Sequence, residues 1–398
     1  MPNTLLTPTA VTREALRILH QKAAFISSIN RQYDDSFARS GAKTGDSLKI
    51  RLPNQYTVRT GATLSAQDTA ETSVTLQVAT QKGVDLNFTS ADLTLSLDDF
   101  SKRILQPAMS VLAANIEADA LTMYKDVYYE VANVGSPATF ARVLGARKIL
   151  VDNLTPAGDR EVMLNTQDNV DLVDALKGLF QDSKEVARQY REGYMGRTAG
   201  FDWTENTVIP THTVGTKAGT PLVNGTSQTG ASLVTDGWTA SSAVLKKGDI
   251  FTIAGVFRVH PETKAVTATL QQFVATADGT ADGTGNLTVA IAPSIVTSGA
   301  TQNVSGSPAD NAAITVVGTA STAHGISLAY HPDAFAFATA DLVMPNGVDF
   351  ASRQVLDGIC MRIVRQYDIS ADKFPCRLDV LYGFKTIRPQ LACRMANN

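Results

Sequence analysis

Between His212 and His324 the chain all but abandons charge. These 113 residues hold 11 Asp, Glu, Lys or Arg, about 10%, against about 22% in the rest of the chain. The same window carries 13 of the 28 glycines and 20 threonines. A stretch so poor in charge and in helix formers, with a turn residue every few positions, has few ways to bury itself. Short strands rolled into a small barrel or stacked as a sandwich are the favoured solution. Strand-like runs fall at Ile250–Ala254, Phe257–Val259, Ala265–Leu270, Gln272–Ala275, Leu287–Ile291 and Ile314–Val317, separated by Gly, Asp, Asn and Pro. KKGDIFTIAGV (246–256) is the clearest of them, a Gly-Asp turn opening directly into a strand.

The flanks are built differently. Residues 12–39 place Leu16, Leu19, Ala23, Ile26 and Ile29 at three- and four-residue steps after Thr12, a candidate N-cap, and predict an amphipathic helix. SLKIRLP (47–53) and SVTLQVATQKGVDLNF (73–88) alternate as strands. The polar reach of about twenty residues between them buries little and predicts an extended hairpin projecting from a body. From Ser96 to Val131 apolar residues recur at helical spacing, with Ser96 and Asp99 resembling a capping box. Unbroken, that helix would run roughly 50 Å at 1.5 Å per residue, and Pro107 should kink or split it. A helix at 138–151, a strand at 160–165 and a helix at 168–192 interrupted at Gly178 continue an α/β alternation. After 325 the strand-like stretches 327–342, 361–370 and 376–384 return to the earlier style. The charge-poor window is therefore an insertion into a mixed α/β body.

Chemistry is hard to find. The sequence has no phosphate-cradling or dinucleotide-binding glycine loop, no H-E-x-x-H and no G-x-S-x-G. His20, His212, His260, His324 and His331 are scattered, and His20 sits on a predicted helix with no carboxylate or cysteine ligand pattern around it, so no metal site is expected. Cys360, Cys376 and Cys393 lack metal or redox spacing and read as reduced thiols buried on strands. DGTADGTG (278–285) has calcium-loop composition without the spacing, and a hairpin turn is the simpler reading. KEVARQYREGYMGR (184–197) is basic with two tyrosines and could touch phosphate, but a solvated helix end and loop contacting another subunit is the simpler reading. A net charge of −3 gives no ground for sequence-specific nucleic-acid binding. No apolar run approaches the ~18–20 residues of a bilayer-spanning helix, and MPNTLLTPTA does not look like a secretory signal. No catalytic residue, cofactor or metal is expected, and synthesis in the cytosol is.

The parts, an N-terminal helical arm, a polar hairpin, a long helix, an α/β body and an inserted β module, come in an order that resembles a known family. It is that of the major capsid proteins of tailed bacteriophages, with their Hong Kong 97-type fold. Three stretches point to the coat proteins of the Salmonella short-tailed phage group, P-twenty-two-like, which carry an inserted β-barrel. KKGDIFTIAGV looks like the opening strand of that insertion, and YREGYMGRTAGFDWTENTVIPTHT (190–213) looks like the segment leading into it. DISADKFPCRLDVLYGFKTIRPQ (368–390) looks like the C-terminal axial strands.

The resemblance implies an α+β Hong Kong 97-like capsid fold with an inserted all-β barrel. It divides the chain into an N-terminal arm (1–46), an extended β-hairpin loop (47–88), a peripheral domain with a spine helix (89–137), a first axial part (138–211), the inserted barrel (212–324) and a second axial and peripheral part (325–398). It implies a scaffold-assisted shell of pentamers and hexamers around double-stranded DNA, assembled in the bacterial cytoplasm, with the chain itself, a scaffolding protein and a portal protein as partners. Candidate contacts between subunits are Arg59, Asp68 and Glu71 on the hairpin, Arg188, Arg191 and Glu192 in the basic cluster, and Lys217 and Asp236 in the polar stretch Gly215–Gly237. Candidate scaffold-docking residues are Glu14, Asp34 and Asp35 on the arm. The competing reading is a tail, fibre or surface-layer component with a β-rich recognition domain, which the insertion by itself would fit. The long helix between a hairpin and a returning α/β body does not.

Overall fold

The computed structural model describes residues 8–31, 46–64, 66–68, 71–89, 105–176, 197–356, 359–370 and 373–397. Two compact units emerge, the first from Met1–Arg51, Ser73–Leu121 and Phe335–Ile387, the second from Leu52–Thr72, Thr122–Ala334 and Arg388–Asn398.

In the first unit a sheet runs in the order Asn30–Arg31, Phe335–Ala340, Lys373–Thr386, Ile359–Arg365, Phe350–Leu356, and Thr80–Thr89 adds to the long Lys373–Thr386 strand. Helix α1 (Pro8–Lys22) buries Ala15, Leu16, Ile18 and Leu19 against the sheet and a later helix. It starts four residues before the predicted cap, so Thr12 is a buried interior residue, and Pro8 takes the first position, where its missing N–H costs nothing. Within the described residues the predicted helix does not continue past Ser28, and 32–39 lie outside them. After α2 (Ala24–Ser28) the Ser27 and Ser28 hydroxyls donate back to the carbonyls of Ala24 and Phe25, at 2.7 and 2.8 Å, and Ile29 turns extended. Such back-bonding competes with helix continuation.

Helix α3 (Gln106–Leu121) buries Ala108, Met109, Leu112, Ala113, Ile116 and Ala120, while Val111, apolar and at helical spacing in the sequence, is exposed. Its Glu117 is also buried and accepts a hydrogen bond from the Phe25 amide. Among the described residues the beam is shorter than predicted. It ends at Leu121, passes through one 3-10 turn (Thr122–Asp126) and becomes a strand at Glu130–Ala132. Pro107 sits at the second position of the described helix. Residues 90–104, the start of the predicted helix, lie outside the described residues.

The predicted hairpin is half right. Asp46–Arg51 and Ser73–Val78 pair antiparallel from Asp46↔Val78 to Arg51↔Ser73. Thr80–Thr89 leaves them and pairs instead with Lys373–Tyr382 over ten residues. Gly383 permits the crossing, since a Cβ there would overlap the Gln77 carbonyl.

The second unit holds the body sheet, in the order Glu130–Ala132, Ala392–Ala396, Ala323–Tyr330, Glu161–Leu164, Phe201–Glu205, Arg197–Thr198, with α4 (Phe140–Asp152) and α5 (Thr166–Leu176). Asn165 caps α5, its Oδ1 accepting the Asp168 amide at 2.7 Å. The remainder of the predicted 168–192 helix lies outside the described residues.

The charge-poor window folds as a closed barrel. Six strands run in the order Gly219–Val223, Gly230–Trp238, Leu287–Ile295, Val266–Ala275, Ile250–Val259, Ile314–Val316. The ends of this order meet, because the Val223 amide donates to the Ala312 carbonyl at 3.0 Å and Asn311 donates to the Val223 carbonyl at 2.8 Å. Runs read as separate strands at 250–254 and 257–259 are one strand whose pairing slips between Thr252 and Phe257. Gly255, at φ +80°, lies in that slip and is a bulge inside the strand. The polar stretch 215–237 contains a hairpin, Gly219–Val223 against Gly230–Trp238; Leu233 and Thr235 are buried on either side of exposed Val234.

Candidate interaction surfaces

The barrel's strands alternate between two cores. Phe251, Ile253, Phe273 and Ala275 face the barrel interior with Trp238, Val289 and Ile291. Ile250 and Val274, on the opposite face of the same strands, enter the core of the body beside Tyr128, Tyr129, Leu150 and Trp203. Burying those two aliphatic side chains is worth about 3–6 kcal/mol by the usual transfer values.

Polar contacts fix the orientation. The Gln272 side chain behaves like one more rung of sheet, accepting from the Glu130 amide at 2.9 Å and donating to the Glu130 carbonyl at 3.0 Å. Arg258 bridges to Asp152 of α4 at 2.8 Å, and its guanidinium lies 5.8 Å from the centre of the Tyr129 ring. Lys247 approaches Asp126 at 3.7 Å, an exposed pair worth little. The module is thus joined to its body by an apolar seam, an amide clamp and a partly buried ion pair.

The two chain segments that connect module and body lie side by side. Thr211–Thr213 leads in, the start of Ala323–Tyr330 leads out, and they pair antiparallel with His212 opposite His324. His212 Nε2 is 2.8 Å from Asp249 Oδ1, and its Nδ1 is 3.2 Å from the Tyr124 hydroxyl. Asp249 Oδ2 accepts the amides of Gly215, at 3.0 Å, and Lys246, at 2.8 Å. The aspartate of KKGDIFTIAGV is therefore fully buried, and it anchors both the incoming strand and the turn that starts its own. Gly248 in that turn has φ +100°, and a Cβ there would stand 3.1 Å from His212 Cε1. Close by, Arg394 and Glu130 form a buried ion pair at 2.7 Å, and Arg394 lies over the Tyr124 ring. The sequence reading of scattered histidines missed this assembly. The one signal was that His212 and His324 stand at the two ends of the charge-poor window.

No group of three or more His, Cys, Asp or Glu side chains able to hold a metal ion is present among the described residues. The three cysteines are buried on strands, and burial raises each thiol, Cys376 to about 12, which keeps them protonated and unreactive. DGTADGTG closes as a turn: Asp282 accepts the amides of Asn286 and Thr284, which hold its carboxyl down at about 2. No helix among the described residues is long and apolar enough to cross a membrane.

Arg59, Asp68 and Glu71 are exposed on the stretch between the paired strands Asp46–Arg51 and Ser73–Val78. That stretch is braced internally, since Gln67 Oε1 accepts the Thr57 amide at 2.8 Å and Gln67 Nε2 donates to the Thr57 carbonyl at 2.6 Å. It also carries apolar side chains that the charge-based reading overlooked: Tyr56, Val58 and Leu64, the last two 96% and 82% exposed. Lys217 turns back on its own module, its ammonium donating to the carbonyls of Gly318 and Val316. Asp236 is half-buried opposite Leu222. Glu14 is paired with Arg17 one turn along α1, at 2.6 Å. Asp34, Asp35, Arg188, Arg191 and Glu192 lie outside the described residues.

Comparison with known proteins gives a family match. The family model described as "P22 coat protein - gene protein 5" matches residues 28–395. No curated protein matches. Among solved structures, a chain of Mycobacterium phage Che8 is similar at 14% identity, covering 94% of this chain and 90% of that one with a TM-score of 0.47. A chain of the bacteriophage PhiM1 mature capsid is similar at 11% identity, covering 93% and 86%, with a TM-score of 0.43. The CUS-3 coat protein I-domain is 30% identical over 26% of this chain and 98% of its own, with a TM-score of 0.20.

Proposed function

The chain belongs to the P22 coat protein family, and on that premise we propose that it builds an icosahedral phage head of pentamers and hexamers around double-stranded DNA. It is a coat protein, a structural component of the virion capsid, and copies of itself are its partners. The single observation that carries the reading is the family match over residues 28–395. Assembly proceeds through a scaffold-assisted procapsid in the host cytoplasm, with a portal protein at one vertex.

The physical demands of such a shell suit this chain. One polypeptide must fill five-fold and six-fold environments, which asks for rigid bodies joined by adaptable extensions. The body and its barrel supply rigidity through their shared core. The exposed 52–72 stretch supplies reach, with Tyr56, Val58 and Leu64 as apolar anchors on a neighbouring subunit and Arg59, Asp68 and Glu71 as the ionic rim around them. Each contact is weak enough to correct errors, and their number supplies avidity. Arg188, Arg191, Glu192, Lys217 and Asp236 remain candidate contacts, Lys217 only after release from its own module. Glu14, Asp34 and Asp35 dock the scaffold, with Glu14 exchanging its Arg17 partner for a scaffold cation. A net charge of −3 lets the wall contain DNA without gripping it.

Co-expression with and without a scaffolding protein, followed by negative-stain electron microscopy of lysates, tests the proposal. Shells, spirals or polyheads are expected. Soluble trimers or fibres under every condition overturn it in favour of a tail, fibre or surface-layer role.

A further inference from the structure

The joint between the β module and its body contains a histidine that has no good way to carry charge. His324 is 3% exposed, and neither ring nitrogen has a hydrogen-bond partner of ordinary geometry. Its ring lies 5.7 Å from that of His212, edge to face. The groups facing it come from every element around the joint. On the incoming strand is His212, tied to Asp249 and Tyr124. From Glu130–Ala132 comes Glu130, and from Ala392–Ala396 comes Arg394, but these two already neutralise each other at 2.7 Å. The Thr322 backbone and Gly318, whose carbonyl holds the Lys217 ammonium, complete the surroundings. Burial lowers the imidazole's affinity for a proton, and His212 and Arg394 reinforce that effect; Glu130 and the Thr322 backbone oppose it.

We propose that His324, buried edge to face against the His212 ring, makes the joint acid-sensitive. In mildly acidic solution the incoming and outgoing strands part and the β module loosens from the body, while the module's own core stays closed. The closed joint resists the proton that an opened His324 would bind near pH 6.5, its ordinary value. Closure is thus fully favoured above that pH and loses its advantage as pH falls toward the lowered value of the closed state. The barrel's own core is a hydrophobic cluster that includes Trp238, Phe251, Phe273 and Val289, and its closure does not depend on the imidazole. The joint's backbone pairing spans Thr211–Thr213 against Ala323–Gly325, flanked by the Val214 amide to the Thr322 carbonyl at 3.2 Å.

Hydrogen exchange of the full chain at pH 7.5, 6.5 and 5.5, corrected for intrinsic rates, tests this. Amides at 212–214 and 323–325 are compared with those of the Phe251↔Phe273 strand pair inside the barrel. Linkage of one proton predicts that joint opening rises by up to about tenfold per pH unit below about 6.5, with the barrel amides unchanged. In His324→Gln and His324→Phe the joint amides should show no such rise. Joint protection that is constant in the unmodified chain overturns the proposal. So does loosening in parallel with the barrel core, or the same pH dependence persisting in a variant. The unmodified chain decides the matter even if neither variant folds.

Discussion

Asp249 is the place where one atom-scale change should separate two explanations of how the module is held. Its carboxylate receives three donors, the His212 ring and the amides of Gly215 and Lys246, while 1% exposed. Replacing it by alanine strands all three donors away from water. With hydrogen bonds to a charged acceptor worth about 1.5–3 kcal/mol each, and partial rescue by penetrating water, Asp249→Ala should cost about 3–5 kcal/mol. Asparagine behaves differently. Its amide oxygen can occupy the Oδ2 position and keep both backbone donors. Its NH2 then faces His212 Nε2, which can accept if the ring shifts its proton to Nδ1 and donates to the Tyr124 hydroxyl. Only charge assistance is lost, so Asp249→Asn should cost about 1–2 kcal/mol. Urea unfolding followed by fluorescence reads both, since Trp238 and Trp203 are buried in the barrel and the body respectively. With a slope of about 2 kcal/mol per molar urea, midpoints should fall by roughly 2 M for alanine and roughly 0.5–1 M for asparagine. Equal losses for the two variants would refute the tautomer argument. An alanine variant within about 0.5 kcal/mol of the parent would refute the anchoring role.

Gln272→Ala removes both bonds to the Glu130 backbone and should cost about 1–2 kcal/mol in the same titration, while Gln272→Glu should cost more because a carboxylate repels the Glu130 carbonyl it replaces a donor to. Gly248→Ala and Gly225→Ala impose the same left-handed strain, at φ +100° and +99°, yet a Cβ meets His212 and Lys125 only at position 248. Calorimetry should therefore show about 1 kcal/mol lost at 225 and 2–3 kcal/mol at 248. Replacing Tyr56, Val58 and Leu64 together by serine should leave subunit stability within about 0.5 kcal/mol, since all three are exposed, while shell yield by sedimentation falls severalfold.

The β module was legible because its signals were local: loss of charge, turn residues and alternation all act within a few positions. Helix α4 and the strand Glu161–Leu164 were legible for the same reason. The end of α3 was not. Apolar residues keep helical spacing through Val127 and Val131, but Val127, Tyr128 and Tyr129 are buried in an irregular segment, where periodicity carries no information about the backbone. The split of 73–89 into two strands with different partners was hidden as well, because the second partner, Lys373–Tyr382, lies about 300 residues away in the sequence. The joint was hidden for the same reason. His212 and His324 meet only because a chain that leaves a sheet and returns to it must bring its two crossing points together. Exposed apolar anchors on the 52–72 stretch could have been suspected, since Tyr56, Val58 and Leu64 interrupt an otherwise polar run.

The hydrogen bonds that join Val223 to Ala312 and Asn311 close the six-stranded ring. An open sheet displays a rim of unmatched amides and carbonyls to which any extended peptide can add. Here that rim is consumed within the molecule. At the very high local concentrations of a growing particle, such a module offers newly made chains no template to zip onto, so its dealings with neighbours are confined to side chains and turns. Recognition of that kind can be altered one residue at a time without inviting fibrous aggregation.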